Sequence, residues 1–337
     1  MDKIAFIYGE TFIYWSPIIM SLAVVTAMLA FLAFYIGSTG DGIGGFLCLP
    51  LSLVLSMVVS RFIHWYCRAD SYESMESAMS NFSSGAYALM GVFFSCLAVA
   101  CVLRLVRITK SLPKMLDAMA IGGSLGIAVG RMSHMFSTTD RGFIIEGYYD
   151  MPWIFPVENA VTGEPEYRLA TFMIQAMVAG ALFVILSLFF IQSKIRKTGK
   201  NGDTCLLFLL IYGASQIILD STRYDSLFMR SNGFISIVQI LGAVGLVTAA
   251  VVFSVRMVKA RGCKWFFLVM WVAVLGLVGL AGYMEYYVQR HGDMPLYCYS
   301  TMTTALVGAV GVVVLIRLFA VSAERKAQRQ KAQLQEA

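Results

Sequence analysis

The stretch IGGSLGIAVGRMSHMFSTTDRG, from Ile121 to Gly142, decides the fold of this chain. It begins as a glycine-rich apolar segment and ends in a group of polar and charged residues. Glycines spaced along a membrane helix give a small-residue face against which neighbouring helices pack closely. Arg131 lies where the apolar segment ends, and such an arginine either faces a protein interior or cavity or extends to the lipid headgroups. The stretch therefore predicts a closely packed membrane helix with a charged end.

The composition is that of an integral membrane protein. Of the 337 residues, 58% are hydrophobic and 14% are charged, and the mean hydropathy is +0.73. Soluble domains carry about 25% charged residues. Nine apolar runs reach the roughly 20 residues that a spanning helix requires. They cover residues 12–36, 44–66, 84–105, 116–136, 169–192, 205–223, 234–257, 265–287 and 299–319. The sequence therefore predicts an all-α fold with nine spans.

The basic residues set the expected orientation of these spans. They cluster near residues 104–114, 194–200, 256–264 and 317–331, which share one side of the membrane if the N-terminus is outside. Because cytoplasmic loops are enriched in Lys and Arg, this pattern predicts an outside N-terminus and an inside C-terminus. The same distribution accounts for the net charge of +6, which excludes nucleic-acid binding as its explanation.

The seven cysteines show no spacing typical of a metal site, and we expect neither a metal nor a cofactor. Cys67 and Cys298 both fall on the predicted outer side, which is the more oxidising one. We therefore expect these two thiols to be able to form a disulfide.

Three predicted spans carry an arginine near the same outer end. In each span a second polar residue lies three positions away, and the pairs are Arg61 and His64, Arg131 and His134, and Asp220 and Arg223. Gln216 lies one helical turn below the last pair. Helix ends alone produce some interfacial anchors of this kind. Because three arginines reach one depth beside the glycine-rich helix, we favour an outward-opening site for an anionic lipid.

Two histidines, His64 and His134, are the groups of this zone that titrate near neutral pH. Either can act as a base towards a thiol, whose anion is the nucleophilic form. The alternative is a histidine that only packs and forms hydrogen bonds.

Residues 130–142, GRMSHMFSTTDRG, resemble the signature helix of the bacterial prolipoprotein diacylglyceryl transferases, Gly-Arg-x-Gly-Asn-Phe-x-Asn-x-Glu-x-x-Gly. Arg131 and the terminal Gly142 match this frame. Among the substituted positions are His134, Ser137 and Thr139, where the family has Asn, Asn and Glu.

Residues 212–223, YGASQIILDSTR, are similar to a second family motif, Tyr-Gly-x-x-Arg-Phe-x-x-Glu-x-x-Arg. Arg223 matches, Asp220 keeps the acid, and Gln216 replaces an arginine that the family uses catalytically. Arg61 fits an arginine of the family's second span. The His-Gly-Gly of the third span is absent.

The resemblance implies a fold, a reaction and a location. The family transfers the diacylglyceryl group of phosphatidylglycerol to the lipobox cysteine of prolipoproteins in the bacterial cytoplasmic membrane, and it releases glycerol phosphate. It has a seven-span core, so the last two spans of this chain are additional. We therefore expect three parts: a transferase-like domain at 1–257, two extra helices at 258–320 and a charged cytoplasmic tail at 321–337.

The resemblance also implies roles for the site residues. Arg131 is expected to hold the lipid phosphate, and His134 or His64 to act as a base. The expected substrate-binding residues are Arg61, Gln216, Asp220, Arg223 and Gly142. The expected partners are phosphatidylglycerol and the signal-peptide segment of the prolipoprotein.

Two alternatives remain open. Gln216 and the lost acids favour a relative that binds anionic lipid or lipoprotein without transferring anything. The other alternative is a small-solute transporter, although the sequence has no evident inverted repeat or paired midplane charges.

Overall fold

The structure is a computed structural model that describes residues 3–80, 87–145, 151–159, 162–196, 199–229, 232–292 and 294–336; the side chains of 232–234 and 325–336 lie outside this description. The helices are α1 (Trp15–Thr39), α2 (Gly42–Cys67), α3 (Met75–Ser80), α4 (Leu89–Leu105), α5 (Leu112–Met132), α6 (Thr171–Ile195), α7 (Asp203–Ser221), α8 (Ile237–Arg261), α9 (Trp265–His291) and α10 (Pro295–Glu336). The predicted all-α membrane fold is confirmed.

Eight helices within the described residues are long and apolar enough to cross a membrane. The ninth predicted span corresponds to α4, which is apolar but has only 17 residues. At about 1.5 Å per residue it covers roughly 26 Å, slightly less than the ~30 Å of a bilayer core. Its predicted first residues, 84–86, lie outside the described part of the chain.

In the described part of the chain, three short antiparallel hairpins connect or precede the helices. They are formed by β1 (Ile4–Tyr8) with β2 (Thr11–Tyr14), β3 (Ile154–Glu158) with β4 (Pro165–Leu169), and β5 (Phe228–Met229) with β6 (Asn232–Ser236). The second hairpin lies in the long connection from Ser137 to Arg168, which therefore contains more regular structure than its three prolines suggested.

The chain divides into two compact units. The first contains Met1–Phe189, Asn201–Cys205 and Thr222–Val238, and the second contains Phe190–Lys200, Leu206–Ser221 and Gln239–Ala337. This division does not correspond to the boundary expected at 257, which stays a prediction. Beyond residue 324 the helical backbone of α10 is described, but the charged side chains of the predicted tail are not.

In the first unit, α5 packs closely against α1, as its glycines predicted. A Cβ on Gly122 would lie 2.6 Å from the carbonyl oxygen of Ala27, and a Cβ on Gly126 would lie 2.7 Å from the Ala27 Cβ. Both distances are too short for any side chain, so these two glycines permit the contact. Gly123 faces open space instead.

The buried core of this unit lies where α1, α2, α4 and α5 meet. It includes Phe31, Tyr35, Cys48, Val99, Ala100, Leu103, Met115 and Ala118. The helices also expose many large apolar side chains, for example Leu29 and Leu188. Such surfaces are expected where a helix faces lipid.

In the second unit, α7 and α8 cross at a pair of glycines. A Cβ on Gly213 would lie 2.4 Å from the carbonyl oxygen of Gly242, so the two backbones touch. The other packed pair is α9 with α10. The expected disulfide between Cys67 and Cys298 is wrong, because both residues are thiols in the structure.

Candidate active site

The carboxyl end of α5 forms the candidate site. The helix continues into one 3-10 turn, Ser133–Phe136, and the hydroxyl of Ser133 donates to the carbonyl of Gly130 at 2.6 Å. The chain then turns sharply at Asp140, whose φ of 57° lies in the left-handed region. Only Asn, Asp and Gly adopt that region with ease. This turn brings the residues after the helix back towards its end.

Asp140 is the centre of a charged cluster. Arg131 and Arg223 each form an ion pair with one of its carboxylate oxygens, and the His134 Nε2 atom lies 3.2 Å from Oδ2. The side chain of Asp140 is 4% exposed, compared with 12% for Arg131 and 23% for His134. The carboxylate is therefore buried, whereas the arginine and the histidine are still accessible.

The environment of Asp140 keeps it ionised. Burial by itself raises the pKa of this carboxyl, but the positive charges of Arg131 and Arg223 outweigh burial. The pKa of Asp140 consequently lies well below its usual range.

A second aspartate completes the cluster from the segment that follows α7. Asp225 accepts a hydrogen bond from Arg223 Nε at 3.0 Å and another from the backbone N–H of Asp140 at 2.9 Å. Tyr224 donates its hydroxyl to the carbonyl of Thr138 at 2.7 Å. The segment after α7 is therefore fastened to the turn after α5.

The two ring nitrogens of His134 have different neighbours. Nε2 faces Asp140, whereas Nδ1 lies 2.5 Å from the Thr139 Oγ1 atom and 3.4 Å from the Ser137 Oγ atom. The two hydroxyls are themselves hydrogen-bonded at 2.8 Å. The sequence Ser-Thr-Thr-Asp thus surrounds one imidazole with two hydroxyls and one carboxylate.

Arg141 fixes the backbone of this turn. Its Nη2 atom donates to the carbonyls of Ser137 at 2.9 Å and His134 at 3.2 Å. The guanidinium lies between the rings of Phe155 and Phe172, at 5.0 and 4.6 Å from their centroids. Cation–π contacts of this kind stabilise a desolvated arginine.

Gly142 is predicted to be a substrate-binding residue, and the structure gives it a steric role. It forms a β-bridge with Arg223, and its N–H donates to the Leu169 carbonyl at 2.7 Å. A Cβ at this position would lie 2.7 Å from Thr171 Oγ1 and 2.8 Å from Leu169 Cβ. Only glycine fits there without movement of its neighbours.

Arg61 and His64 belong to a different group at the end of α2. Arg61 Nε donates to the carbonyl of Ala78 at 2.7 Å, and its guanidinium lies over the rings of Tyr72 and Tyr87. His64 Nδ1 lies 2.8 Å from the Tyr72 hydroxyl. This group fastens the connection after α2 to the helix end.

Gln216 and Asp220 are buried on α7 in the second unit. Within the first unit, the structure groups the predicted site residues Arg131, His134 and Arg223, and Gly142 pairs with Arg223 through the backbone. Their substrate-binding and catalytic roles stay predictions.

The site contains residues to which the sequence reasoning assigned no role, namely Asp140, Arg141 and Asp225. The signal for the first two was their place in the stretch Thr-Thr-Asp-Arg-Gly, directly after a helix that ends in an arginine. Asp225 had no comparable signal, because it depends on the fold of a distant segment.

Within the described residues, no group of three or more His, Cys, Asp or Glu side chains is arranged to hold a metal ion. The observed fold and site define a multi-pass helical membrane protein with an accessible arginine–histidine cluster at one helix end. A family model described as prolipoprotein diacylglyceryl transferase matches residues 3–255. The chain belongs to that family, and the predicted membership is confirmed.

Several similar bacterial proteins bear the name phosphatidylglycerol–prolipoprotein diacylglyceryl transferase. The protein of Clostridium botulinum strain Hall is 23% identical over 253 residues, which is 73% of this chain and 94% of that protein. The protein of Streptococcus equi subsp. zooepidemicus is 23% identical over 79% of this chain and 99% of its own length. The protein of Lactococcus lactis subsp. cremoris is 25% identical over 62% of this chain and 76% of its own length. These identities are those of a divergent family member.

Proposed function

We propose that this chain transfers the diacylglyceryl group of phosphatidylglycerol to the lipobox cysteine thiol of prolipoproteins, and that Arg131 holds the lipid phosphate. The observation that carries the proposal is the partly exposed Arg131 at the end of α5, fixed by the buried carboxylate of Asp140. A guanidinium binds phosphate oxygens through two parallel hydrogen bonds. Its Nη1 atom donates to Asp140 Oδ2, and this contact orients the group for an incoming phosphate.

The charge of the cluster fits this ligand. The cluster contains Arg131, Arg141 and Arg223 together with the carboxylates of Asp140 and Asp225, so one positive charge is in excess when His134 is neutral. A phosphodiester carries one negative charge, so the lipid neutralises the cluster. The negative charge grows on the phosphate when its bond to the glyceryl carbon breaks. A preorganised cation at that position lowers the barrier by roughly 3–4 kcal/mol.

Arg223 is the better source of supplementary charge than Arg61. Arg223 shares the carboxylate of Asp140 with Arg131, whereas Arg61 is held by a backbone carbonyl and two tyrosine rings. We also propose that this helix end faces the outside of the cell, because the clustering of basic residues places the C-terminus inside. A cysteine introduced at Gly199 should then be labelled only after permeabilisation of the membrane.

The function is tested with purified protein in vesicles that contain phosphatidylglycerol and a peptide bearing a lipobox. We expect wild type to form the thioether-linked diacylglyceryl peptide. Arg131→Lys should reduce kcat/KM, because it keeps the charge but loses the planar fork, and Arg131→Ala should reduce it further. Arg290→Ala is the control, since Arg290 is an exposed arginine on α9, outside the matched residues.

Two outcomes contradict the proposal. If wild type never lipidates the peptide but releases phosphatidylglycerol when Arg131 becomes Ala, the chain is a lipid-binding relative; the substitution Gln216 favours this alternative. If Arg131→Ala transfers lipid as well as wild type does, Arg131 does not hold the phosphate.

A further inference from the structure

The neighbours of His134 define which of its nitrogens carries a proton. An ionised carboxylate only accepts hydrogen bonds. Because Asp140 is ionised and its Oδ2 atom lies 3.2 Å from Nε2, its negative charge favours the proton on Nε2, the ring nitrogen that faces it. In the neutral ring Nδ1 then has the free lone pair, and it accepts from the Thr139 hydroxyl at 2.5 Å. Asp140 thus selects the tautomer of this imidazole.

The two sides of the ring also differ in accessibility. The carboxylate that faces Nε2 is buried, whereas the hydrogen bond between Nδ1 and Thr139 lies at the protein surface. The basic lone pair is therefore on the side that a second molecule can reach. A side-chain hydroxyl already occupies the position at which an incoming proton donor has to sit.

His64 differs in each of these respects. Its Nδ1 atom lies 2.8 Å from the Tyr72 hydroxyl, and its charged neighbours within the described part of the chain are Arg61 and Arg68. Arginines also act on His134, but there the carboxylates of Asp140 and Asp225 oppose them. Of the two histidines near the helix ends, His134 is therefore the one that a carboxylate orients.

We infer that His134 is the general base that takes the proton of the lipobox thiol at Nδ1, and that Asp140 is the positioning residue that holds it in the active tautomer. This inference rests on the proposed transferase function. Thr139 and Ser137 mark the place of the thiol, which displaces their hydroxyls from Nδ1. Ordering of a base by a third group is a general device for activating nucleophiles.

The proposed step begins at the thiol of the lipobox cysteine. The S–H bond breaks and the proton moves to Nδ1, so that the sulfur keeps the electron pair. The thiolate forms a bond to the glyceryl carbon, and the bond from that carbon to the phosphate oxygen breaks. Glycerol phosphate leaves with the bonding pair, and the proton on His134 passes to it or to solvent.

A single carboxylate couples the two halves of this reaction. Oδ2 of Asp140 contacts both His134 Nε2 and Arg131 Nη1. The base for the attacking sulfur and the clamp for the leaving phosphate are therefore positioned by one side chain. Loss of that side chain should impair both, and an experiment has to separate the two effects.

A lipobox peptide with selenocysteine in place of cysteine separates the effect on the base from the effect on the phosphate clamp. A selenol is already ionised at neutral pH and needs no base, but it still needs the phosphate clamp. With the thiol peptide, His134→Ala should lower kcat/KM by about 10²–10⁴-fold. With the selenol peptide the loss should be less than about 10-fold. His64→Ala is the matched control and should affect both peptides equally.

Asp140→Asn should lower kcat/KM for both peptides, with a larger loss for the thiol. The difference in lost kcat/KM between the two peptides measures the effect of Asp140 that is exerted through His134. The loss with the selenol peptide measures its effect on the arginines. The inference is overturned if His134→Ala lowers kcat/KM equally for both peptides, or if it does not lower kcat/KM for the thiol peptide. In either case, lipid transfer by wild type still supports the proposed function. If wild type transfers lipid to neither peptide, both are wrong. Thermal unfolding of each variant in detergent establishes that it is folded.

Discussion

Two Arg-x-x-His pairs occur in this chain, Arg61 with His64 and Arg131 with His134, and the structure uses them differently. Each pair lies near the carboxyl end of a helix with the same spacing. Arg61 is 1% exposed and is held by the carbonyl of Ala78 and two tyrosine rings. Arg131 is 12% exposed and is paired with Asp140. The first pair fastens a loop, whereas the second pair is partly exposed beside a buried carboxylate.

The difference shows that helical spacing decides which residues share a face but not what they do. The function of each pair depends on the segment that folds over the helix end. After α2 that segment supplies aromatic rings and a carbonyl, which leave the arginine enclosed. After α5 it supplies a carboxylate that anchors the arginine, which stays 12% exposed.

The largest expected difference between the two pairs is in activity. Arg131→Met should lower kcat/KM by about 10²–10³-fold, the usual effect of removing a preorganised group at a developing negative charge. Arg61→Met should change the activity of the folded fraction by less than about 10-fold. The measurement is lipid transfer to the peptide, normalised to the folded protein from gel filtration. Equal losses would show that both arginines act on the substrate.

For the free energy of unfolding we expect the opposite order, with a larger loss at Arg61 than at Arg131. Arg61→Ala leaves the carbonyl of Ala78 without its charged donor and empties the space between two rings, which should cost about 3 kcal/mol. Arg131→Ala leaves Asp140 still paired with Arg223, so its cost should be smaller. Thermal unfolding in one detergent compares the two. A larger loss for Arg131→Ala would contradict the structural role given to Arg61.

The pH dependence should separate the pairs further. The pKa of Asp140 is lowered in the folded state, so its stabilisation is complete above the unfolded pKa of about 3.9 and is lost as the pH falls through the folded pKa. At pH 7 we expect Asp140→Asn to cost about 2 kcal/mol, and this cost should shrink below about pH 4. The cost of Arg61→Ala should stay constant there, because a carbonyl and tyrosine rings do not titrate in that range. Unfolding curves at several pH values measure both costs.

The smallest expected effect concerns the turn after α5, which surrounds Arg131 and His134. Gly142→Ala should cost about 1–2 kcal/mol, because its Cβ would overlap Thr171 and Leu169. Gly123→Ala is the matched control, since Gly123 faces open space inside a helix and alanine there should be neutral or stabilising. If the two substitutions have the same effect, the close approach at Gly142 is not important.

Much of the fold could be predicted from the sequence, because apolar length and glycine spacing are local properties. The glycine spacing predicted close packing at Gly122 and Gly126, but only the structure identifies α1 as the partner helix. The hairpin of β3 and β4 could not be predicted, since short strands with prolines look like an ordinary loop. Likewise, α4 begins later than its apolar run suggested.

The grouping of Arg131 with Arg223 could be anticipated from their equal depth and from the family motifs. The role of Asp140 could not, because the family's acid corresponds to Thr139, one position earlier. Its contacts arise only when the chain turns back at Asp140 and meets Asp225 from a distant segment. Long-range pairing of this kind leaves no periodic signal in the sequence.

The left-handed backbone at Asp140 also limits which residues evolution can use there. Glutamate would carry the same charge, but it adopts a positive φ far less readily than aspartate. At this backbone position the shorter carboxylate of aspartate is therefore favoured over the longer one of glutamate. Threonine at 139 followed by aspartate at 140 is the combination present in this chain. Backbone geometry, and not charge alone, thus restricts the substitutions by which this site can diverge and still hold its arginines.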